Sequence, residues 1–189
     1  MPAVAGEECH QPPVRTKTWF HTGAFATPAS VLHIFEREYY TGDPQAVRLA
    51  DTLLPSSLTP DEAREASRAL KGRILRQEVY ADDNSPAHGD PYTVTEYSYR
   101  LRTLEPRASN RHAVFWVCNC QTLSSHYERR PADPRVSHEL TLETDEFGNV
   151  TRSAEVTYPR RFSDPALSAD EGAAQQRLLV TCSENRFAN

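Results

Sequence analysis

The residues most able to do chemistry are Cys118-Asn119-Cys120, with His112 before them and His126 after. In an extended segment, side chains two positions apart share a face, so both thiols would point the same way. Two thiolates and an imidazole are ligand types for zinc, and a Cys–His pair is the minimum for nucleophilic catalysis. Structural zinc takes four ligands, usually from paired C-x₂₋₄-C spacings, and a single C-x-C is half of that. Cys118, Cys120 and His126 are therefore the metal-ligand candidates, and the expectation is that they hold none. Two half-buried cysteines at a strand end explain the stretch more simply. A direct bridge between them is disfavoured, because i and i+2 in a strand approach the Cα separation limit of about 7 Å.

No other stretch builds a reaction centre. Acidic pairs such as Glu36 with Glu38, or Asp82 with Asp83, fall in helical or loop contexts where solvation accounts for them. The sequence holds no P-loop, no G-x-G-x-x-G, no G-x-S-x-G and no H-E-x-x-H. The expectation is a non-enzyme with no catalytic residues and no cofactor. A face built from Trp19, Phe20, Tyr39, Tyr40, Tyr92, Tyr97 and Tyr99 could bind sugar. Core packing is the commoner use of such residues.

The chain of 189 residues carries a formal charge of −5, which gives no basic footprint for nucleic acid. Hydrophobic residues make up 38%, so the core should be thin for the length. No run approaches the roughly 18 apolar residues of a membrane helix, and no membrane contact is expected of this segment. Met1 to Glu8 lacks the basic and apolar regions of a secretory signal. Cys9, Cys118, Cys120 and Cys182 are too few and scattered for a disulfide framework.

The elements that would position these residues are mainly strands. Residues 1–14, with Gln11-Pro12-Pro13, read as a linker. Val31 to Tyr40 has near-helical spacing and ends at Thr41-Gly42-Asp43-Pro44. The clearest helix is 60–71: Thr59 as N-cap, Pro60 at the first helical position, Glu62 closing a capping box, and Gly72 as the stop. Ala63, Ala66 and Leu70 give it a narrow apolar stripe. From Ile74 the period becomes two. Strands are expected over 74–80, 92–104, 112–117 and 124–129, and again on both sides of a turn at 145–152. Residues 162–176 read as an exposed excursion, and 177–189 as the start of a further strand in a longer protein.

The turn is the most specific local signal. Leu140 and Leu142 alternate before it, and Ala154, Val156 and Tyr158 after it. Between them, Asp145-Glu146-Phe147-Gly148-Asn149-Val150-Thr151 has a glycine and an asparagine that tolerate φ > 0. Asp145, Gly148, Asn149 and Thr151 are its structural residues, and the pattern D-x-x-G-N-x-T resembles an RHS/YD repeat.

A wider likeness joins this turn to other stretches. These are Arg15 to Gly23, with Trp19-Phe20-His21; Glu38-Tyr39-Tyr40-Thr41-Gly42-Asp43; Leu58 to Ala66; and Leu75 to Ala81. Pro91 to Glu96, Asn110 to Phe115, and His126 to Arg135 follow in order. Together they resemble the middle, C-terminal-side region of the B component of bacterial insecticidal toxin complexes (TcdB/SpvB-like). The resemblance spans about residues 11–189 and implies a mainly β architecture of antiparallel hairpins of RHS-shell type over 15–161, with the helix at 60–71. It implies a non-enzymatic role in a hollow shell that encloses and delivers a cytotoxic cargo carried by the C component. The C component would be the shell partner, and the pore-forming A component would be reached through the rest of the chain. Such a complex acts outside the producing cell. Cys118-Asn119-Cys120 departs from the family pattern and inherits no role. The alternative is a stand-alone β-rich module that binds a glycan or a protein.

Overall fold

The computed structural model describes residues 13–25, 35–52 and 54–188. Seven antiparallel strands lie side by side in chain order: β1 Val14–Phe20, β2 Ile74–Ala81, β3 Thr93–Glu105, β4 Val114–His126, β5 Arg135–Thr144, β6 Val150–Thr157 and β7 Leu179–Glu184. Two short helices, α1 Pro60–Ala69 and α2 Ala169–Gln175, lie between strands. The result is a meander in which every strand pairs with its neighbours in sequence, and among the described residues β1 and β7 each keep one open edge.

Local chemistry fixes the helices. The Thr59 side chain accepts from Glu62 N while Glu62 reaches back to Thr59 N, and Ser168 and Glu171 repeat the arrangement at α2. Each box satisfies backbone donors that the first turn leaves open. α1 stops at Ala69, two residues short of the expected Lys71, and Gly72 follows at φ 82°. Ala66 of α1 and Leu70, its C-cap, pack on Tyr99 and Leu101 of β3, with Leu54, Leu58, Phe115 and Val117 around them. Carboxylates beyond the cap hold the helix on the β3–β4 connection. Glu62 accepts from Arg107 N at 2.9 Å, and Glu65 from Ala113 N at 2.8 Å.

Several sequence expectations change. Residues 112–117 and 124–129 are not separate strands: β4 is continuous from Val114 to His126 and carries Cys118-Asn119-Cys120 in its middle. Thirteen-residue β3 supplies a partner along that whole length, so the polar Asn119 to Thr122 stretch is held in the ladder. Val14, assigned to a linker, begins β1, which pairs with β2 from Val14↔Ala81 to Phe20↔Ile74. Of the expected helix over 31–40, residues 31–34 lie outside the described residues, and Glu36–Glu38 form a single 3₁₀ turn. Residues 1–12 of the expected linker, Cys9 among them, also lie outside.

Candidate functional site

The described residues 35–51 lie against the sheet, and polar side chains fasten them there. Arg76, Glu78 and Tyr80 alternate along β2 and so share a face. Glu78 is fully buried, at 0% exposure. It accepts from Arg76 Nε at 2.7 Å, from Tyr40 N at 2.8 Å and from the Tyr80 hydroxyl at 2.5 Å. Arg76 also pairs with Glu96 on β3, directly across the ladder, and its guanidinium lies 4.7 Å from the Tyr39 ring centroid. Glu96 in turn accepts from Arg48 at 2.6 Å and from Leu49 N at 3.0 Å. A buried charge is tolerable only when partners satisfy its lone pairs and protons, and here each one does.

Further fasteners extend from this centre. Trp19 Nε1 donates to Glu38 at 2.9 Å, and its ring meets Tyr39 edge-on. The Tyr40 hydroxyl donates to Asp90, and the Tyr127 hydroxyl to Asp43. Arg161 grips both Asp43 oxygens, at 3.0 and 2.8 Å, from beyond β6. Burial alone would raise the Asp43 carboxyl, but Arg161, Gln45 N and Tyr127 hold it below its usual value. Burial, followed by the Asp43 carboxylate, pushes the Tyr127 phenol up to about 12. At the end of β4, Glu128 and Arg129 adopt φ of 50° and 62°, which aims Arg129 at Asp83 (2.7 Å) and Ser85. Arg129 is the first cause that brings the Asp83 carboxyl down to about 2.

These contacts account for the aromatic residues. Trp19 and Tyr99 are buried, and Tyr39, Tyr40 and Tyr97 are half-buried between the sheet and its cover. Phe20 is exposed and Tyr92 is half-buried beneath the Arg129 guanidinium, so the seven aromatic residues do not share one exposed face.

The hairpin tip between β5 and β6 is a second built feature. Asp145 Oδ1 accepts from Phe147 N at 3.0 Å and Asn149 N at 2.8 Å, while Asn149 Nδ2 donates to Asp145 Oδ2 at 2.9 Å. Those bonds, led by the Asn149 amide, lower the Asp145 carboxyl. Gly148 alone takes φ > 0, at 92°, so the reversal is a wider turn closed by the Asp145 side chain rather than a two-residue Gly-Asn turn. Thr151 lies in β6, where its carbonyl accepts from Asn185 N at 2.8 Å beside β7. The tip folds over Trp116 of β4, and Arg102 spans the two, donating to Glu146 O at 3.3 Å with its guanidinium 5.1 Å from the Trp116 centroid.

The metal candidates are not gathered. Cys118 and Cys120 sit mid-strand, whereas His126 closes β4 about 20 Å further along, at roughly 3.3 Å per residue. His112 is engaged by Glu65 at 2.9 Å. Among the described residues no group of three or more His, Cys, Asp or Glu is placed to hold a metal ion. What sequence reasoning missed is the fastening network. Its signal was present in Arg76-Gln77-Glu78-Val79-Tyr80, where charged and phenolic residues alternate on a strand flanked by buried neighbours.

With the sheet, its polar cover and the hairpin tip in view, the comparisons are specific. Residues 65–189 match the family model described as the insecticide toxin TcdB middle/C-terminal region. The chain belongs to this family. Among solved structures, the crystal structure of TcdB2-TccC3 matches with a TM-score of 0.76 and 31% identity, covering 100% of this chain and 10% of that one. TcdB2-TccC3 without its hypervariable C-terminal region matches at 0.74 and 32% identity, covering 93% and 9%. The Tc holotoxin pore of Photorhabdus luminescens matches at 0.74 and 29% identity, covering 94% and 9%. The chain therefore spans about a tenth of the length of these relatives. No curated protein matches it. Its mostly antiparallel sheet with two short helices is the fold of this TcdB region. The stretches Glu38 to Asp43 and Leu75 to Ala81, which carry the resemblance in sequence, are those that fasten the cover to the sheet.

Proposed function

We propose that this TcdB-family segment is part of the wall of a toxin-complex shell, a non-catalytic structure that encloses and delivers a cytotoxic C-component cargo outside the producing cell. The observation that carries this reading is the unbranched seven-strand meander, with an open edge at each end among the described residues, similar over nearly its whole length to chains of TcdB2-TccC3. An open edge presents unpaired N–H and C=O groups that a further strand can satisfy. Residues 15–161 would form the wall proper, 162–176 an excursion from it, and 177–189 the lead into the next RHS-type strand. The C component would share the shell, and the A component would be met by other parts of the chain. The buried network keeps the cover attached while the sheet is continued at its edges.

The test uses the full B chain co-expressed with a C component carrying a protease-sensitive cargo. Neighbouring strand residues donate alternately to the two sides. Of Val180→Pro and Thr181→Pro, one therefore removes a donor toward β6 and the other a donor on the open side of β7. The expected result is that the open-side variant keeps a folded B chain but exposes cargo to protease. Full protection in both variants would overturn the wall assignment.

A further inference from the structure

The cysteine pair acquires a different meaning from its position at a break in the ladder. β3 and β4 pair in step until Ser98↔Gln121 and then resume at Tyr99↔Asn119, so Cys120 is an extra residue in a β-bulge. A bulge bends its strand and re-aims side chains. Cys118 and Cys120 accordingly line one cavity of about 420 Å³, together with Arg100, Arg102, Trp116 and Leu142. The cavity exists because β4 pairs with β5 only from Gln121 onward, leaving β4's earlier half separated from Thr141–Thr144. Both thiols are free, Cys120 buried and Cys118 half-buried.

We propose that Cys118 and Cys120 form a two-thiolate site for a soft monovalent d¹⁰ cation such as copper(I). Thiolate donors select soft ions of this kind. The ligand count favours the same class. Zinc would need further ligands; the acidic residue lining the cavity, Glu143, is held by Arg152 at 2.8 Å, and among the described residues no group of three or more His, Cys, Asp or Glu is placed to hold a metal ion. Monovalent copper and silver are satisfied by two sulfurs in a near-linear arrangement. Charge balance agrees as well. Binding one monovalent cation releases two thiol protons and leaves a complex of charge −1, and the cavity lining carries two guanidiniums, Arg100 and Arg102, against one carboxylate, Glu143. Arg100 stands directly across the ladder from Cys118 and makes no ion pair among the described residues. The site does not depend on the shell reading.

The test is titration of the reduced chain with copper(I) held in a competing chelator buffer, read by near-ultraviolet thiolate-to-copper charge transfer. One equivalent should bind to the parent chain and to a variant combining Cys9→Ser with Cys182→Ser. Cys118→Ser and Cys120→Ser should each abolish it, with circular dichroism reporting whether the sheet is kept. Phenylarsine oxide, which needs two adjacent thiols, should compete with copper(I) in the parent chain, a result independent of any Cys120 variant. Retained stoichiometry in Cys118→Ser, loss in the Cys9/Cys182 variant, or failure of the arsenical to compete would each overturn the assignment.

Discussion

Arg76 and Glu78 lie two residues apart on one face of β2, joined at 2.7 Å, with both side chains sealed from solvent. Removing Glu78 leaves Arg76 with Glu96 as its remaining partner and strands buried donors, each at a cost of about 1–3 kcal/mol. Glu78→Ala should destabilise the chain on that scale, because Tyr40 N and the Tyr80 hydroxyl lose their acceptor as well. Glu78→Gln should cost less, since its amide oxygen still accepts. Urea unfolding measures both, and a loss below about 1 kcal/mol for Glu78→Ala would mean that the network does not hold the cover.

Gly148 carries two constraints that can be separated. Its φ is 92°, and an added Cβ would lie 3.0 Å from the Trp116 ring. Gly72 shares the first constraint, at φ 82°, but a Cβ there would meet nothing within 4 Å. Gly72→Ala should therefore report backbone strain alone, on the order of 1–3 kcal/mol. Gly148→Ala should cost more, and Gly148→Val more again. Equal melting temperatures for Gly72→Ala and Gly148→Ala would remove the packing contribution from Trp116.

Several of the strands were legible because period-two alternation and turn residues are local signals. Ile74 to Tyr80 and the hairpin around Asp145 needed nothing beyond their own neighbourhoods. The length of β4 was not legible, since Asn119 to Thr122 lacks alternating apolar residues and is held by its pairing with β3. Arg161 gripping Asp43 joins residues 118 positions apart, a distance at which sequence pattern carries no information. The helix was clear from Thr59, Pro60 and Glu62, yet that Glu62 also binds Arg107 N depends on how the β3–β4 connection folds back.

His21 gives the chain a defined acid response. Its ring is buried against Tyr99, and burial lowers its pKa from 6.5 to about 4. Between those values the unfolded chain binds a proton that the folded chain refuses, so stability falls as pH drops from about 6.5 toward 4. His138, also lowered by burial, adds in the same direction. His21→Phe should flatten the dependence of the urea midpoint across that window while leaving the His138 share. Identical slopes in the parent chain and His21→Phe would show that His21 does not set the response.

Asp43 and Asp61 both pair with arginine, and their surroundings make the outcomes differ. Asp61 meets Arg64 at 2.9 Å with both side chains more than half exposed. Solvent-exposed pairs contribute about 0–1 kcal/mol. The Asp43 side chain is 2% exposed and receives Arg161, the Tyr127 hydroxyl and Gln45 N. Its removal strands those donors, each at a cost of about 1–3 kcal/mol when buried. Asp43→Ala should therefore destabilise the chain by several times as much as Asp61→Ala, and added salt should shrink only the Asp61 effect. Hydrogen exchange should show the Asp43 variant opening at residues 40–48 and 158–162 before the β3–β4 ladder does. Comparable losses from the two substitutions would mean that the Arg161 clasp is a surface contact, and that the cover is held by the other fasteners, those at Glu78, Glu96, Glu38 and Asp90.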